Sequence, residues 1–248
     1  MAINQYLKRT AIATSYSCVA TASVCLVIPH AAIAQAIAQQ SSPQQLAPNP
    51  NPAGNTIFID NYDFDSGTAS SLTNLENYIN NGRISISNGL TTNEATFNNF
   101  SEIEIDNGDA TNNGTFNNFK PGKFVISSGL FENAGIINNF GDFDSFEART
   151  EGIVNTGTIE NQGSLGLNSP SSLVNSGSVS NEGDITLYFS PIKNSGFFQN
   201  DGLIEQEFEV AYILNSGSFI NNGTLEEVSL DENTGLFVNT GFHSTTGV

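Results

Sequence analysis

The chain has 248 residues, 38% of them hydrophobic, with 23 Gly, no Trp and a formal charge of −18. So acidic a chain repels nucleic acid and anionic membranes, which excludes a nucleic-acid-binding role. Its two cysteines, Cys18 and Cys25, both fall in an N-terminal stretch that reads as removable. That leaves no disulfide framework, no cysteine-based metal site and no thiol nucleophile.

Lys8 and Arg9 open that stretch as a basic region, and an apolar, Ala-rich run follows over 10–34. Two small-x-small exits close it, Ala32-Ile33-Ala34 and Ala34-Gln35-Ala36, so residues 1–36 are expected to be a secretory signal peptide. A membrane anchor is the competing reading, because the apolar run is long. Pro29 and His30 interrupt it and favour cleavage. Loss of Lys8 and Arg9 leaves five basic against 25 acidic residues, a charge of −20, and a mature chain with no membrane span. Residues 37–55, with Pro43, Pro48, Pro50 and Pro52 among Gln, Ser and Asn, are expected to form a flexible tether. Thr56-Ile57-Phe58-Ile59 is the first strand-like run, and 56–73 reads as a degenerate capping coil.

From residue 74 to 248 the chain repeats. A first Asn recurs at Asn74, Asn93, Asn112, Asn133, Asn155, Asn175, Asn194, Asn215 and Asn233, at intervals of 18 to 22 residues. A second follows each by six residues, at Asn80, Asn99, Asn118, Asn139, Asn161, Asn181, Asn200, Asn221 and Asn239. Insertions therefore occur only outside this six-residue offset. Four residues after every first Asn stands an apolar side chain, from Tyr78 and Phe97 to Phe219 and Phe237. Four after the second, seven of nine positions are apolar; the third unit reaches Phe124 after a two-residue insertion and the last has His243.

Gly stands two residues after most of these asparagines, and Asn and Gly both accept a left-handed backbone, so each Asn-x-Gly is expected to turn the chain. The alternation that follows places one side chain inward and its neighbours outward. A repeat of this size is the signature of stacked coils. The expected fold is thus all-β: a single-domain parallel β-helix (β-solenoid) of about nine coils, with Asn ladders at its corners. Each ladder amide would donate to one neighbouring coil and accept from the other. An Asn-rich disordered tract has no reason to keep a constant offset, and Gly at this density would cost helices several kcal/mol.

Outward positions of the strand after the second Asn carry Glu102, Glu104, Asp142, Asp144, Asp184, Glu205 and Glu226, with Lys123 between the first two pairs. These form an acidic surface stripe. One reading is a solvated face that keeps the rod soluble. The other is a cation site; no cofactor and no metal are expected, with calcium as the alternative. The outward column of the preceding strand holds Thr96, Thr115, Thr158, Ser178 and Ser218, broken by Ile136, Phe197 and Leu236. Catalysis has little to stand on: beyond the signal peptide there are one histidine, His243, and two arginines, Arg83 and Arg149. The chain is therefore expected not to be an enzyme, with a carboxylate-only glycosidase as the alternative.

Leu173-Val174-Asn175-Ser176-Gly177-Ser178-Val179-Ser180-Asn181-Glu182-Gly183 resembles the Asn-Ser-Gly-x-Ile repeats of secreted bacterial β-helical adhesins. These include filamentous-haemagglutinin-like exoproteins and autotransporter passenger domains. The likeness spans about Asn74 to Gly241. It implies export to the cell surface and an adhesive or structural role. The partners it implies are surface polysaccharide or other extracellular proteins, and open rod ends add end-to-end self-association.

Overall fold

The computed structural model describes residues 57–59, 72–87, 90–146, 152–207 and 211–245. The expected signal peptide and tether lie outside the described residues. So does most of the capping coil.

The described residues form 28 strands and no helix. The strands assemble into three parallel sheets of ten, nine and nine strands, and successive members of each sheet are one coil apart in sequence. The first sheet holds the strands after each first Asn, such as Thr158–Asn161 and Ser178–Asn181. The second holds those after each second Asn, such as Ser164–Asn168 and Asp184–Tyr188. The third closes the triangle with strands that end on a first Asn, such as Leu173–Asn175 and Ile192–Asn194. The parallel β-solenoid expected from the repeat is thus the fold. Its nine Asn rungs bound about eight complete turns, so at ~4.8 Å per coil the stack is ~38 Å long. Ile57–Ile59 pairs with Tyr78–Asn80 and adds a strand below the first full coil, where a capping element was expected.

The interior explains why the period is kept. Tyr78, Phe97, Phe116, Ile137, Ile159, Val179, Phe198 and Phe219 are all buried along the first sheet. Phe198 and Phe219 stack at 4.7 Å with planes 8° apart, and Phe97 and Phe116 meet at 5.6 Å. Two further buried columns come from positions outside the Asn offset. Ile86, Ile105, Ile126, Leu167 and Leu187 are the second inward residues of the second sheet. Leu72, Phe131, Ile153, Leu173, Ile192 and Ile213 lie two residues before a first Asn, on the third sheet. At ~1.5–3 kcal/mol for each fully buried large apolar side chain, these columns dominate the stabilisation.

Both corners beside the first sheet are lined by amide ladders. Asn161 Nδ2 donates to Asn181 Oδ1 at 2.7 Å, and Asn181 donates to Asn200 at 2.7 Å. At the other corner Asn155 donates to Asn175 at 2.8 Å and Asn175 to Asn194 at 2.7 Å. The second Nδ2 hydrogen reaches a backbone carbonyl of the next coil, as from Asn181 to Leu203 at 3.1 Å. Ladder members from Asn74 to Asn221 are at most 5% exposed, so every amide there needs the partners it has. Both ladders run unbroken through all nine rungs.

The corner glycines serve a different purpose from the one expected. Neither they nor the ladder asparagines adopt a left-handed backbone; the non-glycine residues with positive φ among those described are Asn107, Ser128, Phe189 and Glu227. All four lie at the third corner, which carries no sequence signature. At the Asn-x-Gly corners the requirement is closeness. A Cβ on Gly177 would sit 2.6 Å from the Thr156 carbonyl carbon and nearer still to the Gly157 oxygen of the coil below. The tight approach lets one carbonyl take two donors: Asn155 O accepts from Ser176 N at 2.8 Å and Gly177 N at 3.1 Å.

Candidate functional site

The outward face of the second sheet is built from two side-chain columns, one coil apart at each rung. The first reads Arg83, Glu102, Lys123, Asp142, Ser164, Asp184 and Leu203 in Cα register. The second reads Ser85, Glu104, Val125, Asp144, Gly166, Thr186, Glu205 and Glu226. All seven carboxylates read from the sequence therefore share one face, but they do not make one acidic stripe. The first four rungs of the first column alternate in sign.

Arg83 accounts for the ion pairs of this face. Its guanidinium lies 2.7 Å from Glu104 Oε2 and 3.6 Å from Glu102 Oε2. The three side chains are 53%, 35% and 43% exposed, so solvent screens the contacts to at most ~1 kcal/mol together. Sequence reading counted Arg83 only among the few basic residues that leave catalysis little to stand on. Its place three residues after Asn80, matching Glu102 three after Asn99, was the available signal. Lys123 lies between Glu102 and Asp142, as its rung requires.

Above Val125 the two columns diverge. Asp142 is exposed, while Asp144 is half-buried and folds over the space left by Gly166. Burial raises the Asp144 pKa, the Lys123 ammonium counteracts this, and the Asp142 charge adds to it. One strand thus holds two carboxyls in unequal surroundings, two residues apart, one exposed and one half-buried. Further along, Thr186 Oγ1 donates to Glu205 Oε1 at 3.2 Å, and Glu205 stands in register with Glu226. Asp184 has Ser164 and Leu203 as its column neighbours, so no carboxylate adjoins it there. The Tyr188 phenol is pushed up to about 12 by its hydrogen bond to Glu207, then by burial, then by the charges of Glu207, Asp144 and Glu205. Neither Tyr188 nor Glu207 was singled out from sequence. Among the described residues, no three His, Cys, Asp or Glu side chains converge as a metal site.

The remaining surfaces differ in chemistry. On the first sheet the Thr and Ser column runs in register from Thr96 to Ser218, interrupted by Ile136 and Phe197 as the repeat implied. Beside it Asn117 donates to Asn98 at 2.8 Å and Asn138 to Asn117 at 2.7 Å, an outer ladder running opposite to the inner two. At the second corner Phe100, Phe119 and Phe140 stack at 4.7 and 5.6 Å, with planes 11° and 3° apart. Their faces are spent on each other, so what they offer outward is edges. His243 terminates the inner column of the second sheet, its Nε2 2.8 Å from Val228 O. No helix among the described residues is long and apolar enough to cross a membrane.

Compared with protein-family models, with curated proteins and with solved structures, the chain finds no match.

Proposed function

We propose that the protein is an exported, non-enzymatic β-solenoid acting as a structural or adhesive protein at the cell surface or outside the cell. One observation supports this most: the interior is filled rung by rung with apolar columns and amide ladders, which leaves the long outer faces for recognition. Extended faces of repeated side chains suit broad, multivalent contact with polysaccharide or with other extracellular proteins. The resemblance of the Asn-Ser-Gly repeats to secreted bacterial adhesins points the same way. The test is retention of the full chain on a panel of immobilised polysaccharides and matrix proteins, with reducing ends assayed in the eluate. Retention without release of new reducing ends is the expected result. Release of reducing ends would overturn the non-enzymatic reading.

A second reading, a carbohydrate-active β-helix protein, is favoured by Asp142 and Asp144, one exposed and one half-buried on the same outward face. Unequal environments around two neighbouring carboxyls are how such pairs divide acid and base roles. In that case turnover would be lost in Asp144→Asn.

A further inference from the structure

A groove of about 310 Å³ runs along the rod where the third sheet meets the first corner, lined by Val174, Lys193, Leu214, Glu232, Ser195 and Ser216, among others. Its floor and wall are both ladders. Val174, Lys193, Leu214 and Glu232 occupy successive outward rungs of the third sheet. Ser195 and Ser216 are the middle residues of successive Asn-x-Gly corners. The groove therefore lies parallel to the axis and repeats every ~4.8 Å. That shape suits a linear chain better than a compact molecule.

Its chemistry narrows the class of chain. Lys193 is flanked on its column by Val174 and Leu214, so the ammonium stands on an aliphatic floor. The ion pairs found among the described residues belong to Arg83, and none involves Lys193. Lys123 makes the contrast, since both its column neighbours are carboxylates. The nearest acid on the Lys193 column is Glu232, two rungs away at roughly 10 Å. The wall supplies hydroxyls: Ser195 Oγ donates to Asn175 O at 3.2 Å and Ser216 Oγ to Asn194 O at 3.5 Å. Each hydroxyl hydrogen is used within the corner, which leaves oxygen lone pairs to accept from a ligand.

We propose that this groove binds a linear acidic saccharide, with one sugar carboxylate on Lys193, ring faces on Val174 and Leu214, and sugar hydroxyls donating to Ser195 and Ser216. A single cation in this groove, on a chain of charge −18, selects sparse carboxylates. A densely sulfated polymer would be repelled by the rest of the surface. The assignment rests on the adhesive reading above and gives it a ligand class and a place.

The experiment is affinity electrophoresis of the full chain in gels containing polygalacturonate, a neutral glucan or heparin. The wild type should be retarded by polygalacturonate alone. Lys193→Gln should weaken that retardation roughly tenfold, the worth of one charge-assisted contact. Lys193→Arg should keep it. Lys120→Gln, which changes net charge equally at an exposed corner, should leave it unchanged, with circular dichroism confirming that all variants are folded. Retention by neutral and acidic gels alike, unmoved by Lys193→Gln, would overturn the groove assignment and leave the adhesive reading standing. Equal weakening by Lys120→Gln, or retention by heparin alone, would also overturn it, in favour of non-specific charge. Retention on none of these gels overturns the groove assignment, and only failure on the wider panel above would remove the adhesive reading.

Discussion

Asn181 donates one Nδ2 hydrogen to Asn200 Oδ1 and shares the other between the Gly183 and Leu203 carbonyls, while its own Oδ1 receives Asn161 at 2.7 Å. The side chain is fully buried, so no water replaces a lost partner.

Asn181→Leu conserves bulk and removes every polar atom. It strands the Asn161 amide hydrogen, the Asn200 oxygen and the Leu203 carbonyl. Unsatisfied buried groups cost ~1–3 kcal/mol each, so a loss of at least ~3 kcal/mol is expected in urea unfolding. Asn239→Leu is the internal comparison. That residue is exposed and receives one ladder bond, from Asn221, so its loss should stay below ~1.5 kcal/mol.

Gly177 separates two explanations of a corner glycine. If backbone conformation mattered, Gly177→Asn would be mild and Gly177→Ala harsh. Because the obstacle is the backbone of the coil below, both should destabilise by ~2 kcal/mol or more. Thermal denaturation of the two variants decides it, and a tolerated Asn would contradict the packing account.

Asp144 should make stability depend on pH in an unusual direction for a carboxylate. Its folded pKa lies above the ordinary value of 3.8 because burial opposes the charge. The penalty is therefore fully present above the folded pKa and vanishes as pH falls below 3.8. Asp144→Asn should melt higher than wild type at pH 7, and the gap should close as pH is lowered toward 3.5. A gap that widens on acidification would show Asp144 to be stabilised as the anion.

Phe119 lies between Phe100 and Phe140, and the stack is half exposed. Phe119→Ala removes two ring contacts worth ~0.5–1.5 kcal/mol each, plus the area they cover. A loss of ~2 kcal/mol without change in the circular dichroism spectrum is expected.

Much of this fold was legible because the Asn offset and its apolar follower recur in every rung, and one physical cause explains both. The inner column of the third sheet was nearly as periodic, two residues before the first eight of these Asn, but Thr91 and Ala110 weaken its apolar signal and a bulge sets Leu230 opposite Ile213 in the ninth. The third corner was not legible at all. Its turns use positive φ at Asn107, Ser128, Phe189 and Glu227, four different residue types at uneven spacing. Most insertions collect there because no amide ladder crosses it to fix the length; the two residues added before Phe124, beside Asn118, are the exception. At the candidate site, the register of the carboxylates followed from counting. The burial of Asp144 did not, since it depends on Gly166 standing one coil away and offering space instead of a side chain.

The inner ladders also give the rod a direction. Every Asn-to-Asn bond in them points toward the C-terminal end, from Asn74 to Asn93 at one corner through to Asn221 and Asn239 at the other. Amides aligned in series polarise one another, so each rung strengthens the next. The last described rung, Asn233 and Asn239, presents amide hydrogens, and whatever stacks on it must answer with oxygen. A coil arriving with its chain reversed would meet donor with donor. The ladder polarity is thus vectorial: it would favour a parallel coil over an inverted one at this rung.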